Sequence, residues 1–194
     1  HRGRGFVTAP GPRSASGFRR IAERQIHQGW SINVVVADFE TPNGEVVSRD
    51  VVRHPGAVAV VPLDGNDFML VRQYRAPAEE DLLEIPAGKR DVPGEPPAET
   101  ALRELAEEVG LTTATPLVLL SEFYNSVGFS DEYSYVFLAT DLESVPLDPQ
   151  GPEEEHMTIE RWPIDSVADA IAAGEIKDAK TVIGLLVALR HLGR

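Results

Sequence analysis

Gly88-Lys89-Arg90-Asp91-Val92-Pro93-Gly94-Glu95, seven further residues, then Arg103-Glu104-Leu105-Ala106-Glu107-Glu108-Val109-Gly110-Leu111: the reading of this chain turns on this stretch. Its second half carries apolar residues at Ala101, Leu102, Leu105 and Val109, a spacing that predicts a helix over roughly 98–109. Gly110 is placed to stop it, because glycine closes a helix in the left-handed conformation at little cost. On such a helix Glu104, Glu107 and Glu108 stand at i, i+3 and i+4. Their carboxylates then share one face, with Leu102, Leu105 and Val109 opposite. Like charges at this spacing cost an isolated helix about 0.2–0.5 kcal/mol per pair. A hard divalent cation with oxygen ligands offsets that cost and leaves room for waters and substrate phosphates. Taken alone, E-x-x-E-E is also what a solvated acidic face with Arg103 as a salt-bridge partner looks like.

Outward from the helix the text is strand-rich. Gly56–Leu63 is a continuous apolar run, Asp64-Gly65-Asn66-Asp67 a turn, Phe68–Arg75 a second strand and Leu82–Pro86 a short extended piece. Ser31–Val36 and Glu45–Val52 alternate around Thr41-Pro42-Asn43-Gly44, which predicts a hairpin or small antiparallel sheet. Residues 1–20 are rich in Gly, Arg, Ser and Pro without an apolar period and read as a flexible tail. Beyond Gly110, strands are expected at 117–120, 133–139 and 159–164, an acidic loop at 148–156, and helices at 166–173 and 177–191. The order predicts an α+β fold with a mixed sheet, divided as a tail (1–20), a β extension (21–55) and a catalytic domain (56–194).

Composition narrows the function. A net charge of -13 disfavours nonspecific nucleic-acid binding, because phosphate backbones select basic faces. An acidic protein still binds phosphates when divalent cations stand between them. The chain has no cysteine, which removes disulfides, thiolate metal sites and a cysteine nucleophile and fits a cytoplasmic location. No apolar run approaches the ~20 residues a membrane helix needs.

The whole stretch resembles the Nudix box, G-x5-E-x7-R-E-U-x-E-E-x-G-U, where U is a bulky aliphatic residue. One departure is visible: six residues, not five, separate Gly88 from Glu95, and the extra one falls in a Pro-Gly loop where an insertion is cheap. The resemblance implies an α/β/α sandwich with a mixed sheet and a Mg²⁺-dependent pyrophosphohydrolase, Mn²⁺ being a possible substitute. It makes Glu104 and Glu108 metal ligands, with Glu107 bridging or assisting and the Ala87 carbonyl as a further ligand. Glu95 would pair with Arg103.

The flanks are similar to ADP-ribose pyrophosphatases, in Arg49–Val60, Val71-Arg72-Gln73-Tyr74-Arg75, Leu83–Gly88, Gly128–Glu132 and Gly174–Thr181. That group usually has a proline about sixteen residues past the box, where this chain has Val127. Related nucleoside diphosphate sugars are therefore the alternative substrates. Arg75, with Arg49, would grip a diphosphate through charge-assisted hydrogen bonds, Arg72 being a weaker candidate. Glu84 or Asp50 would accept from ribose hydroxyls or adenine, Trp30 would stack on adenine, and Ser130 would orient the site. In such enzymes a mobile loop supplies a general base. Glu153 fits that role with Glu154 as alternative, and Glu155 fits a further metal ligand. The resemblance also implies a homodimer whose N-terminal sheets cross over. A nucleotide-sensing domain that binds without cutting is the other functional class, and the intact box carboxylates argue against it.

Overall fold

The computed structural model describes residues 10–29, 32–148 and 156–194. The chain forms two compact units, one of residues 1–55 with 124–133, the other of residues 56–123 with 134–194.

The first unit is built on a three-stranded antiparallel sheet, β1 (Arg19–Gln28), β2 (Asn33–Glu40) and β3 (Val46–Arg53), in that order. The β2–β3 hairpin closes where expected, through Gly44 at φ 82° and the Thr41 hydroxyl, which accepts from the Glu45 N–H. The sequence suggested two strands. β1 escapes alternation because its pairing with β2 slips between Arg20 and Ala22 and between Gln25 and His27, and each slip shifts the pleat phase. Before β1, the Gly11 N–H donates to the Arg20 carbonyl and Arg13 pairs with Glu40. Residues of the 125–132 segment belong to this unit through Asp131, which accepts from Arg53 and from the His54 N–H.

In the second unit β4 (Ala57–Asp64) and β5 (Asp67–Arg75) pair only beside their turn, at Leu63–Phe68 and Asp64–Asp67. Beyond it they diverge and residues 80–89 pass between them. β6 (Glu80–Glu84) pairs with β5, the Val60 N–H donates to the Pro86 carbonyl, and β7 (Ala87–Lys89) pairs with β4. This crossing sets Glu84 on β5 and Ala87 against β4. The remaining elements are α1 (Pro97–Val109), β8 (Leu111–Thr113), β9 (Val118–Tyr124), β10 (Tyr133–Ala139), β11 (Leu142–Ser144), β12 (Thr158–Pro163), α2 (Ile164–Ala173) and α3 (Ala179–His191). The central sheet runs β12-β5-β4-β10-β9, and β10 is parallel to β4 while β4 is antiparallel to β5 and β7, so the sheet is mixed as expected.

Period two sorts β4 onto two cores. Ala59 and Val61 join Ile85, Val136, Val167 and Leu185 on the side of α2 and α3, while Val58 and Val60 join Val71, Ala101, Leu105 and Phe137 on the side of α1. A strand buried on both faces reads as an unbroken apolar run, which is why β4 was legible. Each fully buried Val or Leu contributes roughly 1.5–3 kcal/mol. The result is an α/β/α sandwich. Among the described residues no helix is long and apolar enough to cross a membrane.

Candidate active site

α1 does not present a solvated acidic ridge. Glu104 is 8 % and Glu108 5 % exposed, as buried as Val109 on the core side. Sequence periodicity placed the three glutamates together on the polar face. The structure divides them by burial: Glu104 and Glu108 are sunk towards β7 and Glu107 is less buried, while Arg103 bridges Glu104 and Glu107 at 2.9 and 3.0 Å. Glu108 accepts a hydrogen bond of 2.9 Å from the Ala87 N–H. Gly88 stands against Glu104 so closely that a Cβ there would lie 1.9 Å from the Glu104 Cδ. The glycine of the box is thus the space in which the Glu104 carboxylate sits.

Buried carboxylates need cations. Arg103 supplies one, its Nη1 2.9 Å from Glu104, with Glu95 at 3.6 Å and Asp91 at 3.8 Å from its Nη2. Its guanidinium is held above its ordinary range: burial works against the charge, and Glu104, Glu107 and Glu95 outweigh it. The expected Glu95–Arg103 pair is therefore present, and Glu95 also accepts from Thr100 at 2.8 Å, a buried partner that the sequence did not suggest. The extra loop residue is absorbed by a turn in which the Glu95 N–H donates to the Val92 carbonyl and Gly94 takes φ 82°. Pro93 and Gly94 are the residues such a turn selects.

A second charged group lies at the end of β5. Arg75 holds Glu84 with two parallel hydrogen bonds, Nε to Oε1 and Nη2 to Oε2, both 2.6 Å. Glu84, 1 % exposed, also accepts from Lys180, and Lys180 bonds Asp178 at 2.9 Å. Asp178 caps α3, accepting from the Thr181 N–H and hydroxyl, and the Thr181 hydroxyl accepts from the Ile85 N–H. Arg75 is raised above its ordinary range, first by the Glu84 hydrogen bond, with smaller pulls from Asp178 and Glu108. Glu84 thus has no exposed edge to offer a ribose. Its two oxygens are engaged with Arg75 and Lys180. Lys180 and Asp178 were missed as site residues, although D-x-x-T at a helix start is a readable cap. Arg72 is engaged elsewhere, with Glu160 at 2.6 Å.

The NUDIX domain model matches residues 53–183. The chain belongs to the Nudix family. It is 40% identical over 168 residues to a protein of Bacillus subtilis named ADP-ribose pyrophosphatase, covering 86% of this chain and 90% of that one. A Mycobacterium tuberculosis protein of the same name is 41% identical over 170 residues, covering 87% and 82%. Among solved structures, one described as an ADP compounds hydrolase superposes with a TM-score of 0.78 at 26% identity, over 94% of this chain and all of that one.

Nudix ADP-ribose pyrophosphatases generally use a divalent metal. The residues fit a hard cation in kind: two buried glutamates, a peptide laid against one of them, and a glycine that leaves room for the other. Among the described residues no three acidic or histidine side chains converge as a complete metal site. Trp30, Glu153, Glu154 and Glu155 lie outside the described residues. Arg49, Asp50 and Ser130 lie in the first unit of this Nudix protein. Arg49 and Asp50 are exposed on β3, Arg49 donating to the Ser48 carbonyl, and the Ser130 hydroxyl accepts from the Glu132 N–H in a local turn.

Proposed function

We propose that this protein hydrolyses the diphosphate of ADP-ribose, giving AMP and ribose 5-phosphate, in the cytoplasm and with Mg²⁺ as the preferred cation and Mn²⁺ as a substitute. The observation that carries this reading is the pair of buried carboxylates on α1, Glu104 seated in the space of Gly88 and Glu108 tied to the Ala87 N–H. The names of the relatives support the choice of substrate.

Glu104, Glu108 and the Ala87 carbonyl would hold the cation, with Glu155 completing the set. When bound, the cation neutralises diphosphate charge and acidifies the attacking water. Arg75, clamped by Glu84 through Nε and Nη2, keeps the Nη1 edge of its guanidinium for the diphosphate. Glu153 takes the proton of the water as it attacks the adenosyl phosphorus, with Glu154 as the alternative base, and Glu107 assists through Arg103. Trp30, Arg49, Asp50 and Ser130 bind the nucleoside and sugar, some of them across a homodimer with exchanged N-terminal sheets. Val127, 77% exposed where ADP-ribose enzymes usually carry proline, favours a second reading, a broader activity on ADP-sugars.

A turnover panel of ADP-ribose, ADP-glucose, GDP-mannose, NADH, Ap₄A and 8-oxo-dGTP tests the substrate. ADP-ribose is expected to rank first, and its ranking well below the others would overturn the choice. Glu108→Gln is expected to keep the fold and lose activity by about 10²-fold or more. A folded variant with near-normal turnover would remove Glu108 from the metal site.

A further inference from the structure

We propose that the first turn of α3, through Lys180, is the positioning element that sets Arg75 for the substrate diphosphate. The inference rests on the reading of Arg75 as a phosphate ligand. Its observation is an alternating chain of charges, Asp178–Lys180–Glu84–Arg75, that runs from a helix cap to the end of β5.

The chain has one fixed end and one presented end. Asp178 is fixed because it caps α3 and takes two hydrogen bonds from Thr181. Lys180 is nearly enclosed, its side chain 14% exposed. Arg75 is the presented end, its side chain 39% exposed and within the electrostatic reach of Glu108 on α1. Glu84 is fixed twice from α3: its side chain by Lys180, and the peptide that follows it by Thr181. The two residues of the Lys180–Glu84 bond lie 96 positions apart in sequence, so this is a tertiary clamp and not a local turn.

Charge sharing gives the clamp its consequence. Were Glu84 paired with Arg75 alone, a buried carboxylate would draw on the full charge of the guanidinium. With Lys180 on the Oε2 atom, Glu84 is divided between two cations, and Arg75 keeps attraction for a phosphate while its plane stays fixed by two parallel bonds. Lys180 therefore acts through Arg75 and is a positioning residue, not one that touches substrate.

A double-mutant cycle on the full-length protein tests this. Lys180→Met removes the charge and keeps the length. It is expected to raise KM for ADP-ribose about tenfold while kcat changes less than threefold, because a ligand of the unreacted diphosphate is misplaced. Lys180→Arg restores a cation and is expected to return KM to within about threefold of the parent. In an Arg75→Gln background, Lys180→Met is expected to add almost nothing. Full additivity in that background overturns the positioning role while leaving Arg75 as a ligand. An Arg75→Gln protein with unchanged kcat/KM overturns the reading of Arg75, and this proposal with it. Should Lys180→Met not fold, Lys180→Gln, which keeps one donor for Glu84, carries the same cycle with the same two overturning results.

Discussion

Replacing Gly88 by alanine separates a catalytic cradle from a structural glycine. The added Cβ would fall 1.9 Å from the Glu104 Cδ and 2.1 and 2.2 Å from its two oxygens. Carbon atoms that are not bonded prefer about 3.5 Å or more, so the carboxylate must retreat by about 1.5 Å. β7 is the stiffer party, since it pairs with β4 at three positions and the Ala87 N–H is bound to Glu108. Glu104 is the flexible one and gives way by leaving its rotamer, at about 0.5–1.5 kcal/mol. Gly88 has no left-handed φ, so alanine brings no backbone strain. Stability should therefore fall by only about 1 kcal/mol. Activity should fall far more, because metal ligands tolerate displacements of only about 0.2 Å and a misplacement near 1 Å costs about 10²-fold in rate. Urea midpoints, initial rates on ADP-ribose and calorimetric titration with Mn²⁺ measure the three quantities. A folded Gly88→Ala protein within about threefold of the parent in kcat/KM and Mn²⁺ affinity would refute the reasoning. So would a variant that fails to fold, since the glycine would then protect the sheet and not the carboxylate.

Two other outcomes follow from charge. Asp178 titrates below its ordinary range: burial opposes its charge, and Lys180 with the Thr181 hydrogen bonds overcomes this. Glu160 is also lowered, chiefly by Arg72. A depressed folded pKa contributes stability that is present above about pH 4 and lost as pH falls through the lowered value. Urea midpoints should therefore drop below pH 4, and Asp178→Asn should flatten that acid limb. An unchanged slope in the variant would show that Asp178 does not contribute. Calorimetry with a nonhydrolysable ADP-ribose analogue should show at least about tenfold weaker binding in EDTA than in Mg²⁺, and equal affinities would contradict a metal-bridged diphosphate.

What the sequence revealed depended on how locally each feature is written. β4, β5, β10 and α1 were readable because one strand buried on two faces, or one helix with a regular stripe, carries its signature within ten residues. β1 was hidden by its two register slips, and β6 and β7 by their shortness and by the crossing at Pro86. The box singled out Glu104 and Glu108 but not their burial, since periodicity assigns every glutamate to the solvent face. Arg75 and Glu84 were each read as a separate ligand of substrate. Even the register of β5 with β6 does not show that they bind each other, since it sets Glu84 opposite Val71 and Arg75 opposite Glu80; only the side-chain geometry does. Lys180 could not be joined to them by any local rule, because its partner is 96 residues away.

The charges around α1 and β6 explain how so acidic a chain can attract a dianion. Glu84, Asp91, Glu95, Glu104, Glu107, Glu108 and Asp178 carry seven formal negative charges, and Arg75, Arg103 and Lys180 carry three positive ones, every cation being paired with at least one of these carboxylates. The formal balance is negative by four charges, which repels a diphosphate from a protein already at -13. A divalent cation bound among these carboxylates would offset part of that negative charge and give the incoming diphosphate a positive centre to meet. The local cations are therefore not a phosphate trap by themselves. They hold the buried carboxylates in place, so that on the proposed function attraction for the diphosphate would arise once a divalent metal has bound.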